Sequence, residues 1–197
     1  MVVDAHDLLW GSLPLPADAP RWAFEVLRDP QAPVVVRRAP APAGYVAVGI
    51  RGRAREQRFG TLMALQAVQR RVTPEQLAQV PAGGHWPALR ALAEVRQRLA
   101  GLAWGVAGSA AYELASGLPA VHAQSDLDLI LRAPHAIDSL AAQRLLALLE
   151  LPGCRVDLQL QTPFGGVALA EWARRPRQVL LKTQRGPQLV IDPWSGR

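Results

Sequence analysis

Apolar and polar positions alternate most regularly in two stretches of the carboxyl-terminal half. In Asp126-Leu127-Asp128-Leu129-Ile130-Leu131 and again in Arg155-Val156-Asp157-Leu158-Gln159-Leu160 the period is two, which predicts strands with Leu127, Leu129 and Leu131 turned into a core. Between them, Ala136 to Glu150 reads as a helix of the right length for a crossover, so the two strands are expected side by side. Ahead of them, Gly105-Val106-Ala107-Gly108-Ser109 reads as a short strand ending in a tight turn, with Ser109 capping a helix through Tyr112, Glu113 and Leu114. Downstream, Gly165 to Arg175 reads as helical, and Gln178–Thr183 with Gln188–Ile191 as a hairpin across Gln184-Arg-Gly-Pro187.

The amino-terminal half reads differently. Val34 to Arg38 and Tyr45 to Ile50 are predicted strands, joined by the proline-rich Ala39-Pro-Ala-Pro-Ala-Gly44 as a wide hairpin. Thr73-Pro-Glu-Gln76 carries the signature of a capping box with proline at the first helical position. Val80-Pro-Ala-Gly-Gly-His-Trp-Pro87 then breaks the chain before a helix from Ala88 to Leu99. Two units are therefore expected: a small α+β module over residues 1–85 and an α/β unit over 86–197.

A chain of 197 residues with 50% hydrophobic content can bury a core in one sizeable domain or two small ones. Its one cysteine, Cys154, excludes an internal disulfide and fits a reducing cytoplasm; the position after Pro152-Gly153 favours a half-buried structural thiol over a nucleophile. No apolar run approaches bilayer length, so a soluble, cytoplasmic protein is expected. The formal charge of +6 raises the question of nucleic acid. Arginine supplies nearly all of that charge, aromatics make up 6% of the chain, and no nucleic-acid recognition motif is present. Anionic small molecules and an acidic protein partner fit better.

The chemistry concentrates in one segment. Asp126 and Asp128, two residues apart on a strand, share one face and one small space. Such a pair is costly to bury without a divalent cation, and hard oxygen donors favour Mg2+ or Mn2+ over zinc. The plain alternative is two solvated residues on the polar face of an ordinary strand. The Gly108-Ser109 turn adds free helix amides that attract phosphate, which points to phosphoryl or nucleotidyl transfer. Asp157 is the candidate third carboxylate, with a polar strand residue as its alternative.

Arg37 and Arg38 close one strand, and Arg51, Arg53, Arg55 and Arg58 follow another. This cluster either grips a multi-phosphate substrate through two-point guanidinium contacts or is a solvated basic loop. Lys182, the only lysine, is read as neutralising triphosphate or leaving pyrophosphate, or else as a strand-edge charge. His122 either contacts substrate or orients Asp126 and Asp128, or makes structural hydrogen bonds in a surface loop.

The order strand, Gly-Ser, helix, Asp-x-Asp strand, helix, single-Asp strand resembles the nucleotidyltransferase domain of the DNA polymerase beta superfamily. More narrowly, Trp104-Gly-Val-Ala-Gly-Ser-Ala-Ala-Tyr-Glu-Leu-Ala-Ser-Gly117 through His122-Ala-Gln-Ser-Asp-Leu-Asp-Leu129 is similar to the phosphoribosyl-dephospho-CoA transferase family of malonate decarboxylase. His6-Asp-Leu-Leu-Trp10, Pro33-Val-Val-Val-Arg-Arg38 and Gly49-Ile-Arg-Gly-Arg-Ala-Arg-Glu-Gln-Arg58 look like that family's amino-terminal region. The spacing from Gly108-Ser109 to Asp126 is longer than usual in the wider superfamily, through an inserted Gly117-Leu-Pro-Ala-Val-His122, and fits the narrower family.

The resemblance implies a polymerase-beta-type domain with a mixed sheet behind a substrate- and partner-binding module. It implies an enzyme that moves the phosphoribosyl-dephospho-CoA group from 2'-(5''-triphosphoribosyl)-3'-dephospho-CoA to a serine of the malonate decarboxylase acyl-carrier protein, releasing pyrophosphate. Asp126, Asp128 and Asp157 would be catalytic and would hold Mg2+ or Mn2+; Gly108, Ser109, Arg51, Arg53 and Lys182 would bind substrate. Alternatives are a nucleotidyltransferase using ATP or CTP on another protein, RNA or small molecule, a non-catalytic nucleotide- or carrier-binding module, and a nucleic-acid-binding protein.

Overall fold

The computed structural model describes residues 1–54 and 56–195; Arg55 of the arginine cluster lies outside them. The first sheet is built from β1 (Leu8–Gly11), β2 (Val34–Val36), β3 (Tyr45–Arg51), β4 (Arg58–Ala64) and β5 (Val68–Val72), in the order β4-β3-β2-β1-β5. Neighbours are antiparallel, including the expected β2–β3 hairpin, in which Val35 pairs with Gly49 and Val36 with Val48. Val34, Val36, Val48, Ile50 and Met63 bury against Ala23 of helix α1 (Arg21–Leu27).

The second sheet has six strands: β6 (Trp104–Val106), β7 (Leu127–Arg132), β8 (Val156–Gln161), β9 (Gly166–Ala168), β10 (Val179–Thr183) and β11 (Gly186–Val190). Their order is β11-β10-β9-β8-β7-β6. It is a mixed sheet: β7 and β8 run parallel, and the other pairs antiparallel. The β7–β8 crossover is helix α5 (Ser139–Leu148), whose first turn is capped by Asp138 accepting from the Ala141 amide at 2.7 Å. Leu127, Leu129 and Leu131 are buried as the alternation predicts, with Leu158 and Leu160 beside them. They pack on helix α3 (Pro87–Arg98), on Ala110 and Ala111 of α4 (Gly108–Ser116), and on Ala142 and Leu145 of α5. The opposite face of this sheet therefore carries Asp128, Asp157 and their cross-strand neighbours.

Strand β1 joins the two units by alternation alone. Leu9 enters the first core while Leu8 and Trp10, on its other face, enter the second. Helix α2 (Pro74–Ala78) adds Leu77 and Ala78 to the second core, and its start is the predicted capping box: Thr73 and Gln76 each bond the other's backbone amide. A side chain on Gly105 of β6 would run into Pro74 at 2.3 Å, so α2 lies flat on this edge of the sheet.

Two local expectations are corrected. Residues 166–168 are strand β9, and the helix α6 that follows is only Leu169–Trp172. The cause is a turn held by Thr162, whose hydroxyl donates to Gly165 O and accepts from the Phe164 and Gly165 amides, folding the chain back onto β8. The hairpin after it forms as expected, but its turn is only Gln184-Arg185, with Gly186 and Pro187 already in β11.

Candidate active site

Register places Asp128 of β7 directly opposite Asp157 of β8, one strand spacing of about 4.8 Å away. Both are half-buried, while Asp126 stands one residue before β7 and is exposed. Burial pushes the Asp128 carboxyl above the usual carboxylate range, and the charges of Asp157 and Asp126 push it further, against Arg58 and Arg51, which pull it down. Asp157 accepts from Arg155 Nε at 3.0 Å.

Ser109 does not cap the helix. The cap position is Ala107, which makes no side-chain bond, and Ser109 is the second residue of α4. What opens the helix is Gly108, in the left-handed region at φ 62°. A Cβ there would lie 1.9 Å from Asp128 Oδ2, so the glycine lets the carboxylate rest against the start of the helix. The Ala107 amide donates to Asp128 O at 2.8 Å and fixes that approach.

The first sheet supplies the cations. Arg51 and Arg58 are register partners at the stem of the β3–β4 hairpin, and both act on Asp128. Arg51 crosses to the second unit, donating to Ala120 O at 3.2 Å with its guanidinium 5.9 Å from the Tyr112 ring centroid. Arg53 is exposed at the tip of the same hairpin. The 117–122 segment that receives Arg51 is anchored by Glu113 of α4, whose Oε2 accepts from the amides of Ala120 and Val121, each at 2.7 Å. Glu113→Ala should cost about 1–3 kcal/mol through two stranded amides. A lower unfolding temperature with faster proteolysis within 117–121 would show it; unchanged proteolysis would mean the segment is held by other contacts.

Farther along the same face, Gln159 and Gln161 connect β8 to the first unit. Gln161 Nε2 donates to Gln159 Oε1 at 2.8 Å, His6 Nε2 donates to the same oxygen at 3.3 Å, and Arg38 bonds Gln161 Oε1. Arg132 pairs with Glu75 at 2.6 Å. Lys182 of β10 is exposed and sits across from this group, away from the Asp128–Asp157 pair. His6 holds φ 79°, and its pKa falls from 6.5 to about 4 through burial first, then through Arg38, with Arg132 and Lys182 adding to the fall. Its folded pKa is depressed, so its contribution is present above pH 6.5 and is lost as pH falls towards about 4. His6→Asn, which tolerates the left-handed backbone, should remove that part of the acid sensitivity; denaturation midpoints of both proteins between pH 7 and pH 4 check it. Parallel pH curves would contradict it.

The remaining candidates are structural. Cys154 is half-buried, its Sγ donates to Arg155 O at 3.4 Å, and burial raises the thiol pKa, which disfavours the thiolate. His122 is exposed in a turn, its Nδ1 accepting from the Gln124 amide at 3.2 Å and its own amide donating to Ser125 Oγ at 3.0 Å. Among the described residues no three His, Cys, Asp or Glu side chains already converge as a metal cage. Asp126, Asp128 and Asp157 fit a hard divalent cation in charge and donor type, and the Arg155 contact occupies only Oδ1 of Asp157. Sequence reasoning missed the roles of Glu113, Arg132, Gln159 and Gln161, read Arg38 as part of the arginine cluster without its glutamine partner, and read His6 only through the family resemblance. Glu113 bonds amides seven and eight residues on, but the partners of Arg132, Arg38 and His6 lie far away in the chain, and only the polar positions of Gln159 and Gln161 on the Asp157 face hinted at them.

Carboxylates repel a polyphosphate unless a cation intervenes, and arginines attract it; a chain that faces one with the other across two sheets is equipped to transfer a phosphate-bearing group. Residues 4–74 match the Phosphoribosyl-dephospho-CoA transferase MdcG N-terminal domain and residues 76–193 the Phosphoribosyl-dephospho-CoA transferase MdcG C-terminal domain. The chain belongs to this family of transferases. A phosphoribosyl-dephospho-CoA transferase of Pseudomonas fluorescens strain Pf-5 is 57% identical over 194 residues, 96% of this chain and 93% of the relative. That of Pseudomonas aeruginosa strain PAO1 is 51% identical over 197 residues, 97% and 93% of the two chains. That of Azotobacter vinelandii strain DJ is 50% identical over 201 residues, 96% and 93%. No solved structure matches. No helix among the described residues is long and apolar enough to cross a membrane.

Proposed function

We propose that this transferase, with a polymerase-beta-type catalytic unit over residues 86–197, attaches the phosphoribosyl-dephospho-CoA group to a serine of the malonate decarboxylase acyl-carrier protein in the cytoplasm. The observation that carries the reading is the register pair Asp128–Asp157, backed by Gly108 and acted on by Arg51 and Arg58. In the reaction the serine oxygen bonds to the phosphorus on the ribose 5''-oxygen of 2'-(5''-triphosphoribosyl)-3'-dephospho-CoA, and the bond from that phosphorus to pyrophosphate breaks. Pyrophosphate leaves with the electron pair, and the serine proton passes to a base.

Asp126 and Asp128 hold Mg2+ or Mn2+, with Asp157 completing the set or accepting the serine proton. When bound, the ion supplies charge neutralisation for the triphosphate and acidity for the serine hydroxyl. Asp128 is directed by the Gly108 backbone, and the amide of Ser109 at the helix start faces phosphate oxygens. Arg51 orients substrate from the first sheet, Arg53 adds charge at the hairpin tip, and Lys182 adds charge from β10. The 1–85 module thus serves as the substrate- and carrier-binding part.

The test is the intact mass of the purified carrier after incubation with the enzyme, Mg2+ and the triphosphoribosyl precursor. The reading expects a gain equal to the phosphoribosyl-dephospho-CoA group, one pyrophosphate released per carrier, and loss of both with chelator. A carrier left unmodified while ATP or CTP is consumed would replace this reading with a nucleotide-using transferase.

A further inference from the structure

Of the cross-strand rows on the site face of the second sheet, two carry charged side chains, with the row Ile130–Gln159–Ala168 between them. One is Asp128–Asp157. In the other, Arg132 of β7 pairs with Gln161 of β8, Gln161 with Gly166 of β9, and Gly166 with Lys182 of β10. Directly paired residues share a face, so Arg132, Gln161 and Lys182 point the same way, four residues or about 13 Å along β8 from the carboxylates. Gly166 leaves a gap in the row, and the Gln159 amide fills it: a Cβ on Gly166 would meet Gln159 Oε1 at 2.5 Å. From the first unit, Arg38 reaches Gln161 and His6 reaches Gln159.

Three cations therefore surround one pair of glutamines. Glu75 holds Arg132 and Asp4 acts on Arg38, yet the neighbourhood stays positive enough that Arg38, Arg132 and Lys182 all disfavour a proton on His6. Bonding Gln161 uses one of Arg38's five N–H donors, and its planar fork suits phosphate oxygens. The left-handed backbone of His6 is a cost that only its surroundings sustain, as happens where a side chain must be held in place.

We propose that Arg38, Arg132 and Lys182, set around Gln159 and Gln161 by His6, form a second anion subsite that takes the diphosphate of the dephospho-CoA part of the substrate. His6 is a positioning residue here. The proposal rests on the phosphoribosyl-dephospho-CoA reading above. The triphosphate belongs beside the carboxylates, where its phosphorus reacts, and its phosphorus atoms are adjacent to one another. The coenzyme diphosphate is two ribose rings away from the reacting phosphorus, which suits a row four residues up the strand.

The two sources of phosphate can be separated with two probes, dephospho-CoA and magnesium tripolyphosphate, titrated calorimetrically against the wild-type chain, Lys182→Gln, Lys182→Arg, and the double variant Lys182→Gln/Arg38→Gln. Lys182 is exposed, so its single variants should fold, and thermal unfolding of every variant is the check on that. Dephospho-CoA should bind about tenfold more weakly for each cation removed, Lys182→Arg should retain affinity, and tripolyphosphate affinity should stay unchanged. Loss of tripolyphosphate affinity, with or without dephospho-CoA, would overturn the proposal by giving the row to the triphosphate. Unchanged affinity for both would show that it binds no phosphate. If the wild-type chain itself fails to bind dephospho-CoA, the underlying reading falls, and this proposal falls with it.

Discussion

Asp128→Asn is expected to lower turnover by roughly three orders of magnitude, about 4 kcal/mol of transition-state stabilisation, because the neutral amide would be a poor ligand for the divalent cation that the proposed reaction calls for. The fold should survive. In the metal-free protein burial and the nearby Asp157 and Asp126 disfavour the charged carboxylate, so removing the charge relieves a repulsion. The sign follows from the raised pKa: metal-free wild-type stability should fall as pH rises from the ordinary carboxylate range through the raised value, and the variant should lack that fall. Low activity with equal or higher metal-free stability at pH 7 is the expected pair of results. Turnover near wild type would remove Asp128 from the chemistry, and a large loss of stability would make it a structural residue.

The part of this site that was legible in the sequence is the part that local physics dictates. Period-two alternation gave β7 and β8, and a crossover-length helix required them to be parallel, which brings Asp128 opposite Asp157. Thr73 and Gln76 form their box because a four-residue pattern is enough to form it. The helix start was read less well. Gly-Ser suggested a serine cap, whereas the glycine itself does the positioning through an atom it lacks, and no local rule reports a contact between residues 108 and 128.

The meeting of the two units was not legible either. Arg38 and Gln161 are 123 positions apart, and His6 and Gln159 are 153, so each pair depends on how two sheets stack. One trace of that stacking lies in β1, whose Leu8-Leu9-Trp10 is apolar at every position. A strand with one wet face would alternate; a continuous apolar run signals burial on both faces, and here each face enters a different core. The same stacking brings Arg51 to Ala120, which a reading of either half alone would leave in solvent.

Gly108→Ala tests whether the helix start and the carboxylate work as one device. The added methyl meets Asp128 Oδ2 at 1.9 Å, Cγ at 2.7 Å and Cβ at 2.9 Å, so the whole side chain must move or the helix must shift. The left-handed backbone at φ 62° adds about 1–2 kcal/mol of its own for any residue with a Cβ. Gly117→Ala separates the two costs: it has φ 74° and nothing within 4 Å of the added carbon, so it carries only the backbone term. In a chain of this size that term should lower the unfolding temperature of Gly117→Ala by roughly 2–8 °C while leaving turnover near wild type. Gly108→Ala should lose more stability and, in addition, about a hundredfold or more in turnover, since displacing a reacting-site carboxylate by 1 Å is enough for a loss of that order. Equal effects of the two substitutions on turnover would mean that the Gly108–Asp128 contact serves packing alone. A large loss for Gly108→Ala only, with the precursor still bound, would tie the missing side chain of one residue to the placement of the carboxylate twenty positions further on.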